Sequence, residues 1–498
     1  MLAAPSSGSG KTLVTCGLLQ VLVNRKKNVI SFKCGPDYID PMFHRKVIGT
    51  PSRNLDPFFT DGETTRYLFG RQAAKAELSV MEGVMGFYDG LGSVTPGASS
   101  WDLARITETP VILVVNARGM SLSAAALIRG FLESVPGFPT EGKAAGEDSR
   151  IRGVILNQTT ASMYTLLKRE IEQLLPVKVL GHVPRLEDGV IESRHLGLVT
   201  PGEISDLKQR LLRLADTLEQ TLDIDGILEL ADSASDLDAA MPEALEVFLE
   251  ESRREAEKED SEYSETEDEY ILSGNSISGK ARLRIAVARD EAFCFYYEDN
   301  LELLERLGAV LVEFSPIHDQ KLPEEIQGIL FGGGYPELYA EKLSGNSSMM
   351  SSIREAAAEG VPYLAECGGF MYLHETMEDM AGKSWPMAGV LTGHVRKTDR
   401  LGRFGYVTLT ANKPQIFGGA GGQIRAHEFH YFDSSDNGDA FHAQKPVGKR
   451  NWDCIAAGEN FAAGFPHLYY YSNPEFAGRF VEACRKYKKQ KENKSSGL

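Results

Sequence analysis

Residues 361–375 read VPYLAECGGFMYLHE, an apolar run, a lone cysteine, two glycines and a second apolar run. Val361 to Ala365 have the length and apolarity of a buried strand, and Phe370 to Glu375 can open a helix. Between them Gly368 and Gly369 admit a turn that a side chain would obstruct. Strand, sharp turn and helix make a nucleophile elbow, which lifts Cys367 clear of the sheet and sets its sulfur beside a helix N-terminus. The positive end of the helix dipole is expected to lower the thiol pKa there and favour the thiolate. The competing reading, a buried cysteine acting as a small hydrophobe, does not account for the paired glycines.

Two further stretches of the same half supply what a thiol nucleophile needs. The apolar residues 329–331 run into Gly332, Gly333, Gly334, Tyr335 and Pro336, a glycine turn. Backbone N–H groups at Gly333 and Gly334, with that of Gly368, can face an oxyanion beside Cys367. GFPHLYYYSNPEF places His467 near a strand end, as a base for the cysteine, while His427 and His430 in RAHEFHYF are rivals for that role.

A chain of 498 residues exceeds one ordinary core and implies two or three domains. The content of 42% hydrophobic and 25% charged residues is that of a soluble globular protein. A formal net charge of −17 argues against nucleic acid or an anionic membrane as partner, since both require a basic surface. No apolar run approaches the roughly 20 residues that span a bilayer. The cysteines at 16, 34, 294, 367, 454 and 484 are scattered, without CxxC pairing or a secretory signal, so the expected compartment is a reducing cytoplasm.

At the N-terminus APSSGSGKT precedes the helical pattern LVTCGLLQVLV. Ser7, Gly8, Ser9 and Gly10 can wrap a phosphate with backbone N–H groups, Lys11 can reach the β and γ oxygens of ATP, and Thr12 can ligate Mg²⁺. The strand that should precede such a loop is reduced to Met1–Ala4, so either it is shortened or the natural start lies upstream. Short apolar runs at 29–33, 78–81, 110–115, 153–156 and 179–183 alternate with helical patterns, predicting a doubly wound parallel α/β sheet. Ligands of such sheets bind at the carboxyl ends of the strands. Asp37 and Asp40 in KCGPDYIDPMFH, and Glu82 and Asp89 in MEGVMGFYDG, fall there, where carboxylates can hold Mg²⁺ or simply cap loops. Glu82, between an apolar run and a glycine, is the stronger metal candidate, with Thr12 and Asp37 beside it.

The resulting division is a phosphate-loop domain over 1–222, an acidic linker over 223–280, a second α/β domain over 281–487 and a frayed tail over 488–498. The linker contains EALEVFLEESRREAEKEDSEYSETEDEY, which buries too little apolar surface to order itself fully and reads as a partly helical, mostly disordered tether.

The second half resembles a class I glutamine amidotransferase domain of the cobyric and cobyrinic acid synthase type, through VARDEAFCFYY, FGGGYPELY, LAECGGFMYL, RAHEFHYF and PHLYYYSNPEF. That resemblance implies Cys367 as nucleophile and His467 as its base. Many class I glutaminases carry a Glu two residues beyond the His, where this chain has Tyr469. The first half, through GSGKT, KCGPDYIDPMFH, NLDPFF, EGVMGFYDG, PVILVVNARGMSLSAAAL, GVILNQ and ESRHLGLV, resembles the cobyrinate a,c-diamide synthase family and related dethiobiotin-synthetase-like ATPases. It departs in the phosphate loop, where the early glycine of relatives is replaced by Ala4. The resemblance implies ATP and L-glutamine as co-substrates, Mg²⁺ as cofactor and a corrinoid carboxylate as acceptor, with Asn157 near the nucleotide base. Asp37, Tyr38, Asp40, His44, Arg194 and His195 are the implied corrin-facing residues. A nickel-sirohydrochlorin a,c-diamide synthase, a cobyric acid synthase and a positioning ATPase of the MinD/ParA kind are the alternative readings, and a homodimer is one assembly open to such a chain.

Overall fold

The computed structural model describes residues 1–133, 149–186, 201–261 and 283–495. Its contacts divide the chain into two units, Met1–Pro242 and Glu243–Leu498.

Unit 1 is built on seven strands, β1 (Leu2–Ala3), β2 (Val29–Cys34), β3 (Ser52–Leu55), β4 (Leu78–Glu82), β5 (Val111–Asn116), β6 (Ile151–Asn157) and β7 (Lys178–Val183). They pair in the order β3-β2-β4-β1-β5-β6-β7, every pair parallel. Helices cover both faces of such a sheet, which is why β5 can read VILVV without alternation. The two-residue first strand is nonetheless central: Met1 O accepts the Ile112 N–H at 2.8 Å and Leu2 O accepts that of Gly83 at 2.8 Å. Two residues suffice because β4 and β5 hold them from both sides. β3 had no legible signal, since SRNL is mostly polar.

Helix α1 (Lys11–Asn24) buries Val14, Leu18, Leu19 and Leu22 against Leu211, Leu214 and Leu218 of the helix Pro201–Thr221. A Cβ at Gly17 would lie 2.4 Å from Leu218 Cδ1, so the two helices cross where only glycine fits. The chain then continues into a helix at Ile224–Asp232, with Ile224 and Ile227 in the same core.

Unit 2 carries β8 (Leu283–Ala288), β9 (Phe293–Phe295), β10 (Ala309–Phe314), β11 (Gly328–Phe331), β12 (Gly333–Gly334) and β13 (Tyr363–Glu366). The main sheet runs β10-β8-β11-β13 and on through Phe461–Gly464 to Ala456–Ala457, parallel except for the last pair. β9 and β12 form a small antiparallel ribbon, and a five-stranded antiparallel sheet includes Gln423–Phe429 and His467–Leu468. β11 and β13 pair side by side, Phe331 opposite Ala365, so the two glycine turns that follow them emerge together.

Helices form in two further stretches, the tether expected to be partly helical and the tail expected to fray. Residues Glu243–Ser261 form a helix in which Leu245 is buried and Phe248 lies against Gly478, because apolar residues recur on one face of an otherwise charged segment. Residues 262–280 of the expected tether lie outside the described residues. At the C-terminus a single helix runs Glu475–Ser495, through most of the tail expected to fray, and buries Phe476, Phe480, Val481 and Cys484 along one side. Among the described residues no helix is long and apolar enough to cross a membrane.

Candidate active sites

Between β1 and α1 the loop of Ser7, Gly8, Ser9 and Gly10 turns through positive φ at Gly8 (76°) and Gly10 (93°). Gly10 caps α1 with no side-chain hydrogen bond, so the first N–H groups of the helix are open to an anion. Asn157, at the end of β6, donates from Nδ2 to Ser9 O at 2.8 Å, and a Cβ at Gly10 would lie 2.2 Å from that nitrogen. That hydrogen bond ties the end of β6 to the phosphate loop. The Lys11 ammonium donates to Met85 O in the loop after β4. Burial, then the like charge of Lys33, pushes Lys11 down to about 8, and an incoming phosphate would further favour its charged form.

Beneath the loop sits a buried polar cluster. Thr12 Oγ1 donates to Glu82 Oε1 at 2.7 Å, and Lys33 Nζ lies 2.9 Å from the same oxygen and 2.5 Å from Asp40 Oδ2. Against the cost of burial, the Lys33 charge holds Asp40 below the usual carboxylate range. Removing one member of such a buried set leaves a charge uncompensated, at a cost of about 3–5 kcal/mol. Lys33 was not legible as a site residue, although a lysine inside the apolar run VISFKC was the available signal. Glu82 Oε2 is buried without a hydrogen-bond partner, and burial raises the Glu82 pKa. Thr12 and Glu82, joined through Oε1, make an oxygen donor pair of the kind that suits Mg²⁺, which keeps most of its ligands as water or phosphate. Among the described residues no group of three or more His, Cys, Asp or Glu is placed to hold a metal ion.

The expected corrin-facing residues separate. His44 is wholly buried behind Glu82, 3.7 Å from Oε2, with Ser31 Oγ 3.0 Å from its Nδ1. Burial lowers it to about 4, so it is a neutral core histidine and cannot present itself to a substrate. Asp40 is spent on Lys33. Asp37 Oδ1 accepts the Ile39 N–H at 2.9 Å, which caps the turn after β2. Burial and then the Asp40 charge raise Asp37 to about 7. Tyr38 is buried at the start of the helix Ile39–Phe43. Arg194 and His195 lie outside the described residues.

In unit 2 the elbow has the expected form. Cys367 adopts φ 47° and ψ −103° between β13 and the helix Gly368–Leu373, and its N–H donates to Gly464 O at 2.8 Å. Such a conformation is strained for a side chain and is held by its surroundings. A Cβ at Gly369 would lie 2.5 Å from Phe331 O, and one at Gly368 would lie 3.1 Å from Gly334 N, so the two glycine turns pack backbone to backbone. Tyr296 anchors the first of them, accepting the Gly332 N–H at 2.8 Å while donating to Ala288 O. The thiol pKa is not lowered. Burial, followed by the charge of Glu337, pushes Cys367 well above its ordinary value, and a helix of six residues offers little dipole in return. A resting thiol of this kind needs a base at the moment of attack.

His467 meets that need better than its rivals. A Cβ at Gly333 would lie 2.4 Å from His467 Cε1, so the imidazole rests on the glycine turn. His427 pairs with His467 across the antiparallel strands, and burial lowers it to about 3. His430 is occupied by Phe432 O at 2.6 Å and Glu428 Oε2 at 3.3 Å. Tyr469 is packed edge-on against Tyr297 at 5.2 Å.

An open phosphate loop over buried carboxylate oxygens, and a cysteine elbow with a histidine on a glycine turn, define a nucleotide-binding unit and a glutamine amidotransferase unit on one chain. Residues 1–197 match the model of the CobQ/CobB/MinD/ParA nucleotide binding domain, and residues 284–474 that of the CobB/CobQ-like glutamine amidotransferase domain. The cobyrinate a,c-diamide synthase of Salmonella typhimurium is 38% identical over 491 residues, 98% of each chain. That of Caldanaerobacter subterraneus subsp. tengcongensis is 36% identical over 487 residues, covering 97% of this chain and 98% of the relative. The chain belongs to the cobyrinate a,c-diamide synthase family.

Proposed function

We propose that this chain converts the a and c carboxylates of cobyrinic acid to carboxamides, using ATP and glutamine, in cobalamin biosynthesis. The observation that carries this reading is the Cys367 elbow packed against the Gly333–Gly334 turn, on the same chain as the open phosphate loop at Lys11. Cys367 attacks the glutamine side-chain carbonyl as its proton passes to His467, and the C–N bond then breaks with return of that proton to the leaving ammonia. The oxyanion of each tetrahedral intermediate is held by backbone N–H groups of Gly333, Gly334 and Gly368. Water hydrolyses the thioester to glutamate and frees the thiol.

Ammonia does not displace oxide from a carboxylate, so the acceptor must first be activated. The corrin carboxylate attacks the γ-phosphorus of ATP, giving an acyl phosphate and ADP; ammonia then displaces inorganic phosphate to leave the amide. Lys11 and the loop N–H groups neutralise the phosphoryl oxygens. Bound at Thr12 and Glu82, Mg²⁺ would add its charge to that neutralisation. Asp37, in the turn after β2, is the residue proposed to face the corrin. With ¹⁸O placed in the substrate carboxylates, one labelled oxygen should appear in inorganic phosphate for each amide formed. Amide formation with unlabelled phosphate would exclude the acyl phosphate.

A further inference from the structure

We propose that Glu366, the residue immediately before the nucleophile, is the positioning carboxylate for His467. The inference rests on the glutaminase reading of Cys367 and His467 and adds a third member to it. The place two residues beyond the histidine, where many class I glutaminases carry that acid, is filled by Tyr469, which is 2% exposed and packed on Tyr297. The carboxylate arrives instead from β13, where Glu366 Oε2 lies 3.7 Å from His467 Nδ1.

The placement is built from both sides. Glu366 Oε1 accepts the Leu468 N–H at 3.2 Å, which ties the carboxylate to the residue next to the imidazole. Asn300 clamps the same segment, donating to Leu468 O and accepting the Tyr470 N–H, each at 2.8 Å. Successive residues of a strand face opposite sides. The positive φ at Cys367 breaks that alternation, so adjacent residues can serve one site. The imidazole side chain is 3% exposed and that of Glu366 13%, which leaves little water to screen their attraction.

The chemistry gives the contact a purpose. Burial keeps the Cys367 thiol protonated, so attack transfers a proton to His467 and creates a buried imidazolium. At 3.7 Å the carboxylate stands just beyond hydrogen-bond reach of Nδ1; closing that gap as the charge forms would hold a proton on Nδ1, leave Nε2 to receive the thiol proton and stabilise the imidazolium. Glu366 acts through His467 and does not touch the glutamine.

The test is Glu366→Gln in the full chain, which keeps the size of the side chain and an acceptor for the Leu468 N–H while removing the charge. Glutamine-dependent kcat should fall by about 10²-fold, with KM for glutamine within about twofold and ammonium-dependent amidation unchanged. Glutamine-dependent kcat within about threefold of the unsubstituted chain would overturn the proposal. So would equal loss with both nitrogen donors in Glu366→Gln and Glu366→Asp alike, which would assign the residue to the folding of β13. Cys367→Ser is the control for the underlying reading: glutaminase activity surviving that change would overturn the reading itself, whatever Glu366→Gln does.

Discussion

Cys367→Ser removes glutamine-dependent amidation, by about 10⁴-fold or more, and leaves amidation from high ammonium near that of the unsubstituted chain. The size of the loss follows from the chemistry: a hydroxyl in place of the thiol is a far weaker nucleophile, and the buried setting does nothing to activate it. The separation of donors follows from the fold. Cys367 belongs to the unit Glu243–Leu498, whereas the phosphate loop and the buried carboxylate cluster belong to Met1–Pro242. Serine is close in size to cysteine, so the packing of Gly368 and Gly369 against β11 and β12 is kept. Steady-state rates with each donor read the outcome, and equal loss with both would assign Cys367 a structural role.

Lys11→Ala lowers amidation with glutamine and with ammonium alike, on the order of 10³-fold, because activation of the carboxylate precedes either nitrogen. Lys11 is the first residue of α1, held above the Thr12–Glu82–Lys33 cluster, where burial and the like charge of Lys33 weaken its hold on its proton. The γ-phosphate of ATP supplies a counter-charge. Glutaminase activity measured alone should persist in Lys11→Ala, since Cys367 and His467 lie in the other unit. Ammonium-dependent product formed at an undiminished rate would remove the phosphate loop from the reaction.

What could be read from the sequence was whatever depends on local chain geometry. The elbow was legible because a strand, a cysteine and two glycines can meet in few ways, and the phosphate loop because glycines precede Lys11 and Thr12 at a helix start. What failed depended on partners distant in sequence. His44 reads as a polar residue in a polar motif, yet Ser31, Ser52 and Glu82 enclose it from three strands. Lys33 and Glu366 look incidental until Asp40 and His467 stand beside them. The expected thiolate was an error of scale: the helix dipole was counted, but the burial of the sulfur outweighs it. In the acidic segment, expected to be partly helical, Leu245 and Phe248 are what anchor the helix Glu243–Ser261.

The central claim is the conversion of a tetrapyrrole polycarboxylate at two defined positions, and counting the amides in the product tests it most directly. Purified protein supplied with cobyrinic acid, ATP, Mg²⁺ and glutamine should give a diamide and stop, because a carboxylate misplaced by about 1 Å from the γ-phosphate can cost on the order of 10²-fold in rate. Each amidation replaces a hydroxyl by an amino group and shifts the mass by a fixed step, so mass spectrometry of the mixture over time reads the count. Two steps at the a and c positions are the predicted result. Four further amidations, or no product from cobyrinic acid while nickel-sirohydrochlorin is diamidated, would contradict it.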